Sequence, residues 1–154
     1  MSIHEATIEW RRLTPDFEPL TYDRGHWLAF SEDIRVPATA ARANIPPTAP
    51  VSPGVDPEQA FVASLSSCHM LWFLHLASAA KLVVDRYVDR AAGVLENNDE
   101  GKLAMTRVTL KPSVTFNGAH PTEAEVRALH SRAHAKCFIA NSVKSDVVVK
   151  PEFD

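Results

Sequence analysis

Two residues in this chain carry most of its chemical promise, Cys68 and Cys137, the only cysteines present. Cys68 sits inside a long apolar stretch, and Cys137 lies far away near the end of the chain beside Lys136. A thiolate is the reactive form of cysteine, and an ordinary thiol ionises near ~8.5. Two thiols in different helical segments suggest redox chemistry. In a chain without an export signal, a disulfide between them would be transient rather than a permanent staple. The plainer alternative is a pair of buried thiols acting as small hydrophobes. Cys68 lies about 16 Å beyond Pro57 along a helix rising ~1.5 Å per residue. The helix dipole has faded at that distance, and burial disfavours ionisation. A reactive Cys68 therefore needs a cation from elsewhere in the fold. Arginine suits best because it keeps its charge. Arg24, just before His26-Trp27, is well placed; Arg11, Arg35 and Arg42 compete with it.

Two other constellations deserve weighing. His130, His134 and Cys137 share i, i+4, i+7 spacing, with Cys68 or His69 as a further metal ligand. Two histidines on a helix are common by chance, so solvent-facing histidines and no metal are expected. Cys68 and His69 could form a nucleophile and base for acyl transfer or hydrolysis. Neighbouring helical residues point about 100° apart, which makes His69 a poor base for Cys68; His26 is the other choice. A third alternative is a ligand-binding or structural protein whose apolar helix is simply core.

The elements that must position these residues follow from local signals. Residues 5–11 and 26–30 read as strands. Residues 36–57 hold six prolines and no period, and read as a long Pro-rich loop near the active site. That loop ends at Asp56-Pro57-Glu58-Gln59, a capping box with proline at the first helical position. The helix then runs to about Ala80. It is apolar almost all round and should be covered on most sides. Residues 86–97 and 102–117 read as a hairpin turning at 97–101. A shift of period between Met105 and Val108 suggests a bulge, and Pro112 an edge. Thr122 to Glu125 is a second capping box, opening a helix to about Lys136 with Cys137 at its end. Residues 147–149 close as a strand. The order predicts a single α+β domain over 1–154 with mostly antiparallel strands. A second copy of the chain is the simplest cover for so apolar a helix.

The chain has 154 residues, 45% apolar and 23% charged, which is ordinary globular composition. The formal net charge of −3 argues against a nucleic-acid partner. The apolar run 61–80 is interrupted by Ser, Cys and His, and reads as a buried helix rather than a membrane span. No signal peptide is evident, so a cytoplasmic location is expected.

Pro57-Glu58-Gln59, then Ser66-Ser67-Cys68-His69-Met70, then Ala135-Lys136-Cys137 with Phe138 to Ser142, resembles the OsmC/Ohr family of thiol-dependent peroxidases. The resemblance spans residues 22–153 and is strongest at 55–74 and 135–149; the second segments look like an OsmC-like branch. It implies an intertwined homodimer, with two central helices against antiparallel sheets. It implies reduction of organic hydroperoxides in oxidative-stress defence, without a bound cofactor. An external dithiol protein, of dihydrolipoamide or thioredoxin type, would be the reductant. By motif position Cys68 matches the peroxidatic cysteine, Cys137 the resolving one, and Glu58 the glutamate at the helix start. Arg24 corresponds to the family's arginine. Phe61, Leu65, Met70 and Trp72 are the apolar candidates for holding substrate. Two departures bear on substrate preference: Phe138 stands where many members have proline, and His69 where an aromatic residue often follows the first cysteine. Glu58 and Cys68 are roughly 15 Å apart along one helix. If both serve one site, Glu58 must come from the partner chain.

Overall fold

The computed structural model describes residues 1–18, 20–118 and 120–153. It contains two compact units, one of residues 1–60 and one from Phe61 onward.

In the first unit, β1 (Thr7–Glu9), β2 (His26–Ala29) and β3 (Arg35–Ala38) form an antiparallel sheet in that order. β1 is shorter than the 5–11 strand expected. Of the Pro-rich stretch 36–57, residues 36–38 pair as a strand, which corrects the reading of that whole stretch as loop. Pro37 is tolerated because β3 lies at the sheet edge, opposite Trp27 of β2. The stretch is also tied down further on. Ala38 bridges to Val55, and residues 42–44 form a 3-10 turn. Gly54 passes so close to β3 that a Cβ there would meet the Ala38 backbone at 2.7 Å. Many large apolar side chains of this unit are exposed, among them Ile8, Leu13, Phe17, Trp27, Phe30 and Ile34.

Helix α1 (Pro57–Ala79) opens as the capping box predicts. The Gln59 backbone N–H donates to Asp56 Oδ1 at 2.7 Å, and the Asp56 N–H donates to Gln59 Oε1 at 3.2 Å. Its buried residues, Leu65, His69, Phe73, Leu76 and Ala77, follow helical spacing along one stripe. Ala63, Ser64, Ser67, Leu71, His75 and Ser78 make an exposed stripe. Within one chain the helix is thus covered on one side, not on most sides. By length and composition α1 could cross a membrane; in this fold its buried stripe is used by the protein's own core.

The second unit continues with β4 (Val83–Asp89), β5 (Ala92–Asn97), β6 (Leu103–Leu110), β7 (Pro112–Asn117), α2 (Glu123–Lys136) and β8 (Asp146–Val149). The expected hairpin turn is present: Asn98 Oδ1 accepts from the N–H groups of Glu100 and Lys102, and Gly101 takes φ +73°. Each of its two long strands, however, divides in two. β5 pairs with β6, while β4 pairs with β7 in a separate two-stranded sheet. The division falls where the Asp89 carboxylate accepts from the Lys111 N–H and from Ser66 Oγ of α1, both at 2.6 Å. Pro112 follows, with no N–H to offer. The bulge is present too. Val94 faces Arg107 and Leu95 faces Met105, which leaves Thr106 as the extra residue. β8 lies parallel to β6, the one departure from antiparallel pairing among the described strands. α2 opens on its capping box, Thr122 with Glu125.

Two apolar clusters hold this unit. Phe73, Leu76 and Ala77 of α1 pack with Val126, Leu129 and Ala133 of α2. Leu65 packs with Val108 and Leu110 of β6. Burying each large aliphatic or aromatic side chain contributes about 1.5–3 kcal/mol, so these clusters fix α1 against α2 and β6.

Candidate active site

Cys68 and Cys137 meet. α1 presents Cys68, half-buried, and Cys137 is the residue that ends α2. Both are free thiols. Cys137 is buried, and the Cys68 side chain lies close enough to act on its ionisation. Burial, and then the neighbouring Cys68, push the Cys137 thiol up to about 11. The Ala140 N–H, 3.4 Å from Cys137 Sγ, works weakly the other way. Cys137 therefore keeps its proton at neutral pH, and Cys68 is the more accessible sulfur.

The surroundings are apolar and aromatic. Trp72 stands edge-on to Phe138 at 5.5 Å and to His75 at 5.6 Å, with the Lys136 ammonium 5.2 Å from its ring centre. Phe138, directly after Cys137, is exposed. Phe61 and Met70 are half-buried. Leu65 is fully buried, in the core with Val108 and Leu110 rather than at an open surface, and Phe61 packs against that cluster.

Next to Cys68 on α1, and two turns before Cys137 on α2, lies a buried pair that sequence reading missed. His69 Nε2 and His130 Nδ1 are 2.9 Å apart, their rings stacked within 6° of parallel. Phe73 stacks on His130 at 4.2 Å. His130 is 1% exposed, which overturns the expectation that it faces solvent. The signal was present: His130 falls on the stripe Val126, Leu129, Ala133 of α2, and His69 on the stripe Leu65, Phe73, Leu76 of α1. Burial lowers His69 to about 4 and His130 to about 3, so both rings are neutral at pH 7. Their outer nitrogens, His69 Nδ1 and His130 Nε2, have no partner among the described residues. No group of three or more metal-ligating side chains is assembled among the described residues.

The other two candidates lie in the first unit. Arg24 packs its guanidinium 4.1 Å over the Tyr22 ring and donates to the Tyr22 carbonyl. With Trp10, Phe17, Tyr22, His26 and Thr39 it lines a cavity of about 480 Å³. The turn carrying it is clamped by Asp23, which accepts from the Gly25 N–H and Ser52 Oγ at 2.6 Å. Those bonds, Ser52 first, hold the Asp23 carboxyl below its usual range. The competing arginines are committed locally. Arg35 pairs with Glu9 at 2.5 Å and covers Trp27. Arg42 donates to the carbonyls of Ala49 and Pro47. Glu58 Oε1 accepts from Asn44 Nδ2 at 2.9 Å, and its Oε2 is buried with no partner among the described residues.

The family model for OsmC-like protein matches residues 50–152, and the chain belongs to that family. It is similar to an OsmC-like protein of unknown function from Vibrio cholerae, 41% identical over 99% of this chain and 100% of that one, TM-score 0.94. It shares its fold with an organic hydroperoxide resistance protein of Elizabethkingia anophelis (16% identity, 98% and 94% of the two chains, TM-score 0.70). The organic hydroperoxide resistance protein OhrB of Bacillus subtilis is similar too (18% identity, 99% and 98%, TM-score 0.65). The α+β architecture of two helices with largely antiparallel sheets is theirs as well. No curated protein sequence matches the chain.

Proposed function

We propose that this OsmC-like protein is a cytoplasmic thiol peroxidase that reduces organic hydroperoxides in oxidative-stress defence. The observation that carries the reading is the contact between Cys68 and a buried, protonated Cys137. The names of the hydroperoxide resistance proteins that share the fold support it. The Cys68 thiolate attacks the terminal peroxide oxygen. A sulfur–oxygen bond forms, the oxygen–oxygen bond breaks, and the alkoxide leaves as alcohol after taking a proton. Cys68 is then a sulfenic acid. Cys137 gives up its proton and attacks that sulfur, forming the Cys68–Cys137 disulfide as hydroxide leaves and is protonated to water. An external dithiol, of dihydrolipoamide or thioredoxin type, restores both thiols. No resident cofactor, metal, nucleic acid or membrane takes part.

Arg24 supplies the cation that favours the Cys68 thiolate, and Glu58 orients it. Ten helical residues, roughly 15 Å, separate Glu58 from Cys68 on α1. Glu58 of a second copy therefore completes each site, within an intertwined homodimer. The exposed stripe of α1 and the exposed apolar side chains of the first unit are the surfaces such a dimer would bury. Phe61, Met70 and Trp72, backed by Leu65, favour substrates with an alkyl or aryl body.

Mass spectrometry after one equivalent of cumene hydroperoxide tests the cycle. The expected product is a loss of two hydrogens mapped to a Cys68–Cys137 linkage. Two free thiols after that treatment refute it.

A further inference from the structure

His69 and His130 have no part in that cycle, yet they lie between the same two helices as the thiols. Cys68 and His69 are consecutive on α1. Cys137 and His130 stand two turns apart on α2. Among the described residues, the His69–His130 bond is the one side-chain hydrogen bond joining α1 to α2. Phe73 and the leucines already supply apolar adhesion there. A histidine pair is a poor way to add more. Each ring leaves one nitrogen buried without a partner among the described residues, and the nearby Tyr87 hydroxyl is in the same condition. An apolar pair of similar shape would avoid that cost.

What the bond offers, and a leucine cannot, is direction. Disulfide formation needs two sulfurs about 2.05 Å apart with a dihedral near 90°. A 20° rotation of α1 would move a side-chain atom about 5 Å from the helix axis by almost 2 Å. Apolar packing alone tolerates such rotations better than a hydrogen bond does. We propose that the His69–His130 hydrogen bond is a positioning device for the thiol pair, setting the rotation and axial offset of α1 against α2 so that Cys68 and Cys137 can close. The histidines are positioning residues, not catalytic ones. The proposal rests on the redox reading of the cysteines but not on peroxide as the oxidant.

The atoms used make the test specific. The carboxamide of glutamine overlays the Nε2 side of a histidine, and that of asparagine the Nδ1 side. His69 bonds through Nε2 and His130 through Nδ1. His69→Gln and His130→Asn should keep the bond, whereas His69→Asn and His130→Gln should lose it. Each variant is equilibrated with reduced and oxidised glutathione, and the Cys68–Cys137 disulfide is quantified by mass spectrometry. His69→Gln and His130→Asn should stay within about twofold of wild type, and the mismatched amides should fall at least about fivefold. Near-UV circular dichroism selects the folded variants; His69→Leu and His130→Leu serve as the apolar comparison and should fall with the mismatched amides. Equal values across the folded variants overturn the proposal, as does an equal loss in matched and mismatched amides. The same proteins are also treated with cumene hydroperoxide and dimedone. Two free thiols and no dimedone adduct in every variant, wild type included, refute the peroxidase reading, while the glutathione equilibrium still judges the positioning role.

Discussion

The thiol of Cys137 is buried at the end of α2 beside the half-exposed Cys68, and this difference in burial makes the two cysteines chemically unequal. Cys137 should be alkylated by iodoacetamide far more slowly than Cys68 at pH 8, with its rate rising toward pH 11. Its raised pKa also links to stability. The contribution is complete below the thiol's unfolded value of 9 and is lost as pH rises through about 11. Peptide mapping of partly alkylated protein, and urea unfolding at pH 8 and pH 10.5, check both statements. Equal alkylation of the two thiols would contradict the first.

Acid should act through the histidine pair. Both rings have pKa values depressed below the ordinary 6.5, to about 4 and about 3. The unfolded chain therefore binds more protons than the folded one between pH 6.5 and 3. Stability is complete above pH 6.5 and falls as the solution is acidified. At pH 5 the loss is about 2 kcal/mol per histidine. Urea midpoints at pH 7.5 and pH 5 measure it, and His130→Asn should roughly halve the difference, leaving the part due to His69. A midpoint unchanged at pH 5 would show that the pair accepts a proton without cost.

Arg24 is the cation proposed to serve Cys68, and no such part is given to Arg35, paired with Glu9, or to Arg42, bonded to backbone carbonyls. Arg24→Ala should slow iodoacetamide alkylation of Cys68 at pH 7 by about tenfold or more, because a nearby cation favours the thiolate. Arg35→Ala and Arg42→Ala should leave the rate within about twofold. An unchanged rate in Arg24→Ala would remove it from the site.

The exposed stripe of α1, with Leu71 60% exposed, should be covered in solution by a second copy. Sedimentation at micromolar concentration should give a dimer, and Leu71→Glu should give monomer with lost peroxide turnover. A wild-type monomer would leave Glu58 unable to serve Cys68.

Both helix starts could be read directly from the sequence, because a capping box is a contact between residues three apart: Asp56 with Gln59, and Thr122 with Glu125. The turn at 97–101 and the extra residue Thr106 could be read for the same local reason, a polar cluster and a shift of period. The sequence also held the two thiols, and the helical stripes that carry His69 and His130 inward. It could not say which strands pair. β4 to β7 and β5 to β6 have alternation that would serve several partners, and the choice depends on the Asp89 carboxylate bonding Lys111 and Ser66 across the fold. The edge strand β3 was hidden by Pro37, which is allowed only because an outer strand needs no further donor there. The contact of Cys68 with Cys137, the bond of His69 to His130, and the burial that sets their ionisation belong to the tertiary structure. They arise when the apolar clusters bring α1 against α2, a long-range event whose outcome no local pattern encodes.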